Sequence, residues 1–184
     1  MSGLDENDWL VLHEIRLRGV LDPGSDEARA PGIGPGAERL VAVGFVTVVT
    51  RGWRCTPEGR RAHAEWARIG EPETSAALAR LMARFDDVNR EVIATCHAWQ
   101  EQPGDWRVLD RLTAVHERAV PILGRTARAH PRFAGYEPRL AAALTRVDAG
   151  DGTWVASPRC DSYHTVWMRL HEDLLLALGR ERGT

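Results

Sequence analysis

Lysine is absent. All 24 basic residues of this 184-residue chain are arginine, a bias that goes with a GC-rich coding sequence and lowers the weight of any single Arg as a functional signal. Cysteine is scarce: Cys55, Cys96 and Cys160 share no CxxC or other ligand spacing, and an odd count of 3 speaks against a disulfide framework and for a reducing cytoplasm. Neither sign of charge is in excess. A net charge of −2 and an isoelectric point near 6.4 provide no global field toward nucleic acid or an anionic membrane, so a polyanion partner needs a local patch. No run of about 18 apolar residues occurs, and Met1-Ser2-Gly3-Leu4-Asp5-Glu6-Asn7-Asp8 is acidic where a signal peptide is basic. The expectation is a cytoplasmic chain that neither enters nor crosses a membrane. Nucleophile elbow, P-loop, GxGxxG, HExxH and HxxxH patterns are all missing, so no cofactor is expected and no reaction type is indicated.

What is present falls into two halves. Trp9, Leu10, Leu12, His13, Ile15 and Leu17 gather on one side of a helix over residues 8–19, stopped by Gly19. Gly and Pro between Asp22 and Gly36 leave room for only a short helix. A second short helix over Gly36–Val43 follows, its start held back by Gly34-Pro35-Gly36. Phe45–Thr50 is β-branched and aromatic, Arg51-Gly52 is a turn signal, and Trp53–Thr56 returns as a partner strand. Thr56 caps, Pro57 opens and Glu58 supports a helix reaching Ile69.

Helix, short helix, short helix, hairpin, helix is the order of a winged helix-turn-helix. The stretch "GFVTVVTRGWRCTPEGRR" resembles the wing and following helix of the MarR and PadR groups of bacterial regulators, over residues 8–69. The resemblance implies DNA binding, with Arg39 on the recognition helix and Arg51 and Arg54 on the wing as contacts, and a dimer that presents two recognition helices. The charge of this segment opposes it: residues 1–69 hold nine Arg against ten Asp plus Glu.

From Glu71 onward the pattern is helical. Leu78, Leu81, Met82, Phe85, Val88, Val92, Ile93, Cys96 and Trp99 keep a helical period over 74–100, the longest helix. Trp106, Leu109, Leu112, His116, Val120 and Leu123 line a second helix to Ala129, with a kink expected at Pro121. A short helix over 138–147, a loop over 148–158 and a last helix over 161–178 complete the chain. "PRFAGYEPRL" and "DSYHTVWMRLHEDLL" are similar to stretches of actinobacterial winged-helix proteins and to tails of phosphoenolpyruvate-utilising enzymes, a resemblance that names no catalytic residue.

On the last helix Tyr163, Trp167, Leu170, Leu174 and Leu178 share an apolar face, with His164 and His171 at its edge. Arg169 and Asp173 fall on the opposite, polar face. Together with Trp99 and His116 these residues suggest a ligand pocket of Trp99, His116, Tyr163, His164, Trp167 and His171. His164 and His171 are about 10.5 Å apart along a helix axis, too far to share one ion, so no metal site is expected. Asp161 reads as the cap of the last helix. The expected architecture is mainly α: a winged helix with a small hairpin over 1–70 and a bundle of three to four helices over 71–184. The expected function is a small-molecule-responsive transcriptional regulator whose partners are DNA, an effector and a second copy of itself. The alternative is an enzyme or ligand-binding protein of a biosynthetic pathway that has kept this fold, uses the His/Trp/Tyr pocket and has lost DNA binding.

Overall fold

The structure is a computed structural model that describes residues 4–25 and 28–180. It is mainly helical with one two-stranded antiparallel sheet. Backbone contacts divide the chain into two compact units, the first reaching Arg68 and including Gly179, the second spanning Ile69–Leu178.

The first unit opens with α1 (Glu6–Arg18), capped by Asp5, whose carboxylate accepts the Asp8 N–H at 2.8 Å. Acids in its first turn and Arg16 and Arg18 in its last complement the helix dipole, and Gly19 ends it at φ +76°. Leu21 then makes a short bridge to Trp53, each backbone N–H bonded to the other's carbonyl at 2.9 and 3.0 Å. The short helix expected between Asp22 and Gly36 is not present among the described residues before Ile33; the Ser25 hydroxyl accepts the Ala28 N–H, and α2 runs Ile33–Ala42. It begins three residues earlier than the Gly-Pro-Gly pattern suggests. Pro35 lies in the first turn, where N–H groups have no helical acceptor, so it removes no bond.

Strands β1 (Val46–Val49) and β2 (Gly52–Cys55) pair in the register Val46↔Cys55 to Val49↔Gly52. Gly52 sits at φ +133°, and a Cβ there would lie 2.1 Å from the Leu21 carbonyl oxygen. The turn and the Leu21 bridge both require glycine at this position. Helix α3 (Pro57–Ala67) starts on Thr56, whose hydroxyl accepts the Gly59 N–H at 3.0 Å. Val11, Leu12, Ile15, Leu21, Ala37, Leu40, Val46 and Cys55 form the core of this unit.

The second unit begins with α4 (Pro72–Glu101), which turns at Gln102–Asp105 into the antiparallel α5 (Trp106–Ala129). Helix α5 continues through the exposed Pro121 as one element. A 3₁₀ turn (Pro131–Phe133) leads to α6 (Tyr136–Asp148). The segment expected as a loop contains a further short helix, α7 (Thr153–Ala156), held at its start by the Asp151 carboxylate, which accepts the Thr153 N–H at 3.1 Å. Helix α8 (Tyr163–Ala177) is capped by Ser162, not by Asp161. It is the central helix of the unit: its apolar face packs on α4, α6 and α7, and the side expected to be polar is buried too, including Arg169 and Asp173. The Ile69 N–H donates to the Ala177 carbonyl at 2.9 Å and ties the start of the unit to its end.

Candidate functional site

The three cations expected on the first unit have different surroundings. On α2, the Arg39 guanidinium donates through Nε at 2.9 Å and through Nη2 at 2.6 Å to the buried carboxylate of Asp8 on α1. That hydrogen bond raises the Arg39 pKa and commits the side chain to an internal ion pair. Arg51, at the hairpin turn, and Arg54, on β2, are exposed and have no carboxylate partner among the described residues.

The first unit also holds an aromatic cluster that joins Trp9 and His13 to two residues not singled out in the sequence, His63 and Trp66. His13 Nδ1 is 2.9 Å from His63 Nε2, with the two imidazoles stacked at 5.1 Å, and Trp66 packs against both. Trp9 stacks on Trp66 at 5.8 Å and 8°. The signal was in the spacing: Trp9 and His13 are one turn apart on α1, and His63 and Trp66 one turn apart on α3.

In the second unit four of the six expected pocket residues, His116, Tyr163, Trp167 and His171, form with Phe85 a ladder of packed rings. His116 Nδ1 lies 3.2 Å from the Tyr163 hydroxyl, with the two rings edge to face. Tyr163 stacks along α8 on Trp167, which stacks on Phe85 at 4.7 Å, and Phe85 contacts His171 at 5.4 Å. The Trp167 indole N–H donates to Asn89 Oδ1 at 2.9 Å. Tyr163 and Trp167 are wholly buried, so these side chains fill the interior, with the Tyr163 hydroxyl partnered by His116 and the Trp167 indole by Asn89. Burial pushes the His116 pKa down and the Tyr163 pKa up. Both groups are thereby held neutral near pH 7.

Trp99 and His164 stand apart from the ladder. Trp99 lines an open groove of about 250 Å³ with Pro103, Gly152 and Ala156, and its ring covers Gly152 so closely that a Cβ there would be 2.4 Å away. His164 is half-buried, and burial together with the nearby His97 lowers its pKa. Cys96, in the α4 stripe, is pushed up to about 12 by burial, which removes it as a nucleophile.

Two ionic groups, one buried around Asp173 and one half-buried around Asp161, complete the unit. Asp173 accepts from Arg132 Nε at 2.8 Å and from the Tyr136 hydroxyl at 3.0 Å. Asp161 accepts from Arg139 at 2.7 Å and from Arg169 at 2.5 Å. Burial alone would raise the Asp161 pKa, but the two guanidiniums outweigh it and hold the carboxyl below its usual range. The role expected of Asp161 as a helix cap is replaced by this bridge, because Ser162 already satisfies the first turn of α8. Among the described residues no group of three or more His, Cys, Asp or Glu is placed to hold a metal, and no helix is long and apolar enough to cross a membrane.

The chain matches no family model, no curated protein and no solved structure.

Proposed function

We propose that the first unit is a winged helix that binds DNA, and that the protein is a transcriptional regulator whose second unit receives a small-molecule effector. The observation that supports this reading is the Leu21–Trp53 bridge. It adds a third strand position beside the β1–β2 hairpin, so the order becomes helix, strand stub, turn, helix, hairpin, helix, which is that of the winged helix-turn-helix with one of its two short helices not present among the described residues. On this reading α2 is the recognition helix and the hairpin is the wing. The wing carries Arg51 and Arg54 free to neutralise phosphates, while the half-exposed Arg39 already has its Nε and Nη2 on Asp8. With so few contacts per copy, specific binding requires a dimer that doubles them.

A gel-shift titration on the DNA upstream of the gene, run at several salt concentrations, tests the proposal. Arg51→Ala and Arg54→Ala are each expected to weaken binding and to reduce the salt slope by about one per lost phosphate contact. Equal, weak binding to every sequence overturns it.

A further inference from the structure

Residues 74–85 and 118–136 contain six arginines and no Asp or Glu, in a chain that carries 26 acids over 184 residues. At that density about four carboxylates would be interspersed through these stretches, the mixing that keeps a helical surface near neutral. The two stretches are the first part of α4 and the last part of α5 with its following turn, and the antiparallel pairing of the helices brings them side by side. Arg118 and Arg132 find carboxylates elsewhere, in Glu91 and Asp173. The other four do not. Arg80 and Arg84 from α4 and Arg125 and Arg128 from α5 line one open groove of about 410 Å³, over a floor of Ala77, Leu81 and Ala129. All four are exposed, and none has a carboxylate partner among the described residues. A second depression, sharing Ala77, Arg80 and Ala129, continues the groove toward the start of α4, where Glu73 stands on its rim.

Like charges one turn apart on a helix repel, and here two such pairs face each other across a groove. We propose that this groove is a binding site for a small anion carrying two or more phosphate groups. The guanidinium fork matches a phosphate in bidentate fashion, and four forks over a small-residue floor leave room for the ligand itself. Arg80 and Arg84 are separated by about 6 Å along the α4 axis, a span that a chain of linked phosphates bridges and a single phosphate does not. Helices in contact lie about 8–10 Å apart, so the groove between them is too narrow for both walls to engage a duplex. The floor offers no hydrogen-bonding side chain, so recognition rests on the phosphates. The groove lies wholly in the second unit and the proposal is independent of DNA binding by the first.

The test is calorimetric titration of the full chain, at low ionic strength, with inorganic tripolyphosphate, ATP without magnesium, orthophosphate and a single-stranded oligonucleotide. Tripolyphosphate is expected to bind one to one, and orthophosphate at least about tenfold more weakly, because it reaches fewer guanidiniums. ATP binding as tightly as tripolyphosphate identifies a nucleotide as a competent source of the phosphates, and ATP binding more weakly identifies the bare oligophosphate; either supports the site. The double variant Arg84→Gln/Arg125→Gln is expected to lose at least about tenfold in affinity with an unchanged circular dichroism spectrum, since both side chains are exposed. Arg107→Gln/Arg111→Gln removes the same charge at the other end of α5 and is expected to leave binding unchanged. Equal loss in both variants, no saturable tripolyphosphate binding, or tighter binding of the oligonucleotide through the same arginines overturns the proposal.

Discussion

The Tyr163 hydroxyl is the hydrogen-bond partner of His116 Nδ1 in the interior. Tyr163→Phe should therefore lower stability by about 1–3 kcal/mol, the cost of leaving a buried His116 nitrogen unsatisfied, measurable by chemical denaturation. The same imidazole governs a pH dependence. Burial lowers the His116 and His164 pKa values below the ordinary 6.5, so the unfolded chain binds more protons than the folded one when the pH drops. Stability is then fully present above about pH 6.5 and is lost as the pH falls through the lowered folded values. A melting temperature that declines from pH 7.5 to 5.5 in the wild type, and less in His116→Gln/His164→Gln, is the expected outcome; parallel curves would mean that other groups carry it. The ring ladder was half legible in the sequence, because Tyr163, Trp167 and His171 repeat on one face of α8. Arg169 and Asp173 were not. Their polarity placed them at the surface, and only the fold brings Asp161 and Arg132, from outside the helix, to neutralise them.

Chemistry at element boundaries decides the local structure of the first unit, and glycine does more there than the pattern of apolar residues reveals. Gly59, one turn into α3, lies against the Phe45 carbonyl, and a Cβ would sit 2.0 Å from that oxygen. Backbone cannot yield as a flexible side chain can. Gly59→Ala should cost about 1–3 kcal/mol or more through forced separation of α3 from the hairpin, whereas Glu58→Ala, exposed on the same turn, should stay within about 0.5–1 kcal/mol. Equal effects from the two changes would contradict this packing. Caps and turns were the most readable features: Thr56-Pro57 fixes the start of α3, and Gln102–Asp105 the turn between α4 and α5, because each signal acts within a few residues. Helix α7 and the early start of α2 escaped notice. Asp151 builds the first through a side-chain bond in a segment without apolar periodicity, and the second runs through Gly and Pro that are harmless only in a first turn.

At the scale of the molecule the second unit has its own core and closes on itself through the Ile69–Ala177 bond. A fragment of residues 69–178 should fold and unfold cooperatively alone, while one starting at Pro72 loses that bond and should melt several degrees lower, checked by circular dichroism. The regulator reading further requires two copies. Sedimentation equilibrium at micromolar concentration should give twice 20.5 kDa, and a species of 20.5 kDa alone would remove the dimer from the proposal. The two stacked arrangements of aromatic rings also have an optical consequence. Trp9 and Trp66, parallel at 5.8 Å, form an excitonically coupled indole pair within the first unit, and Trp167 between Phe85 and Tyr163 is a rigid, shielded indole within the second. Each unit thus carries an intrinsic chromophore with a near-ultraviolet dichroism of its own. Melting followed at both signals, with Trp66→Phe erasing one and Trp167→Phe the other, can assign an unfolding step to a unit without any label attached.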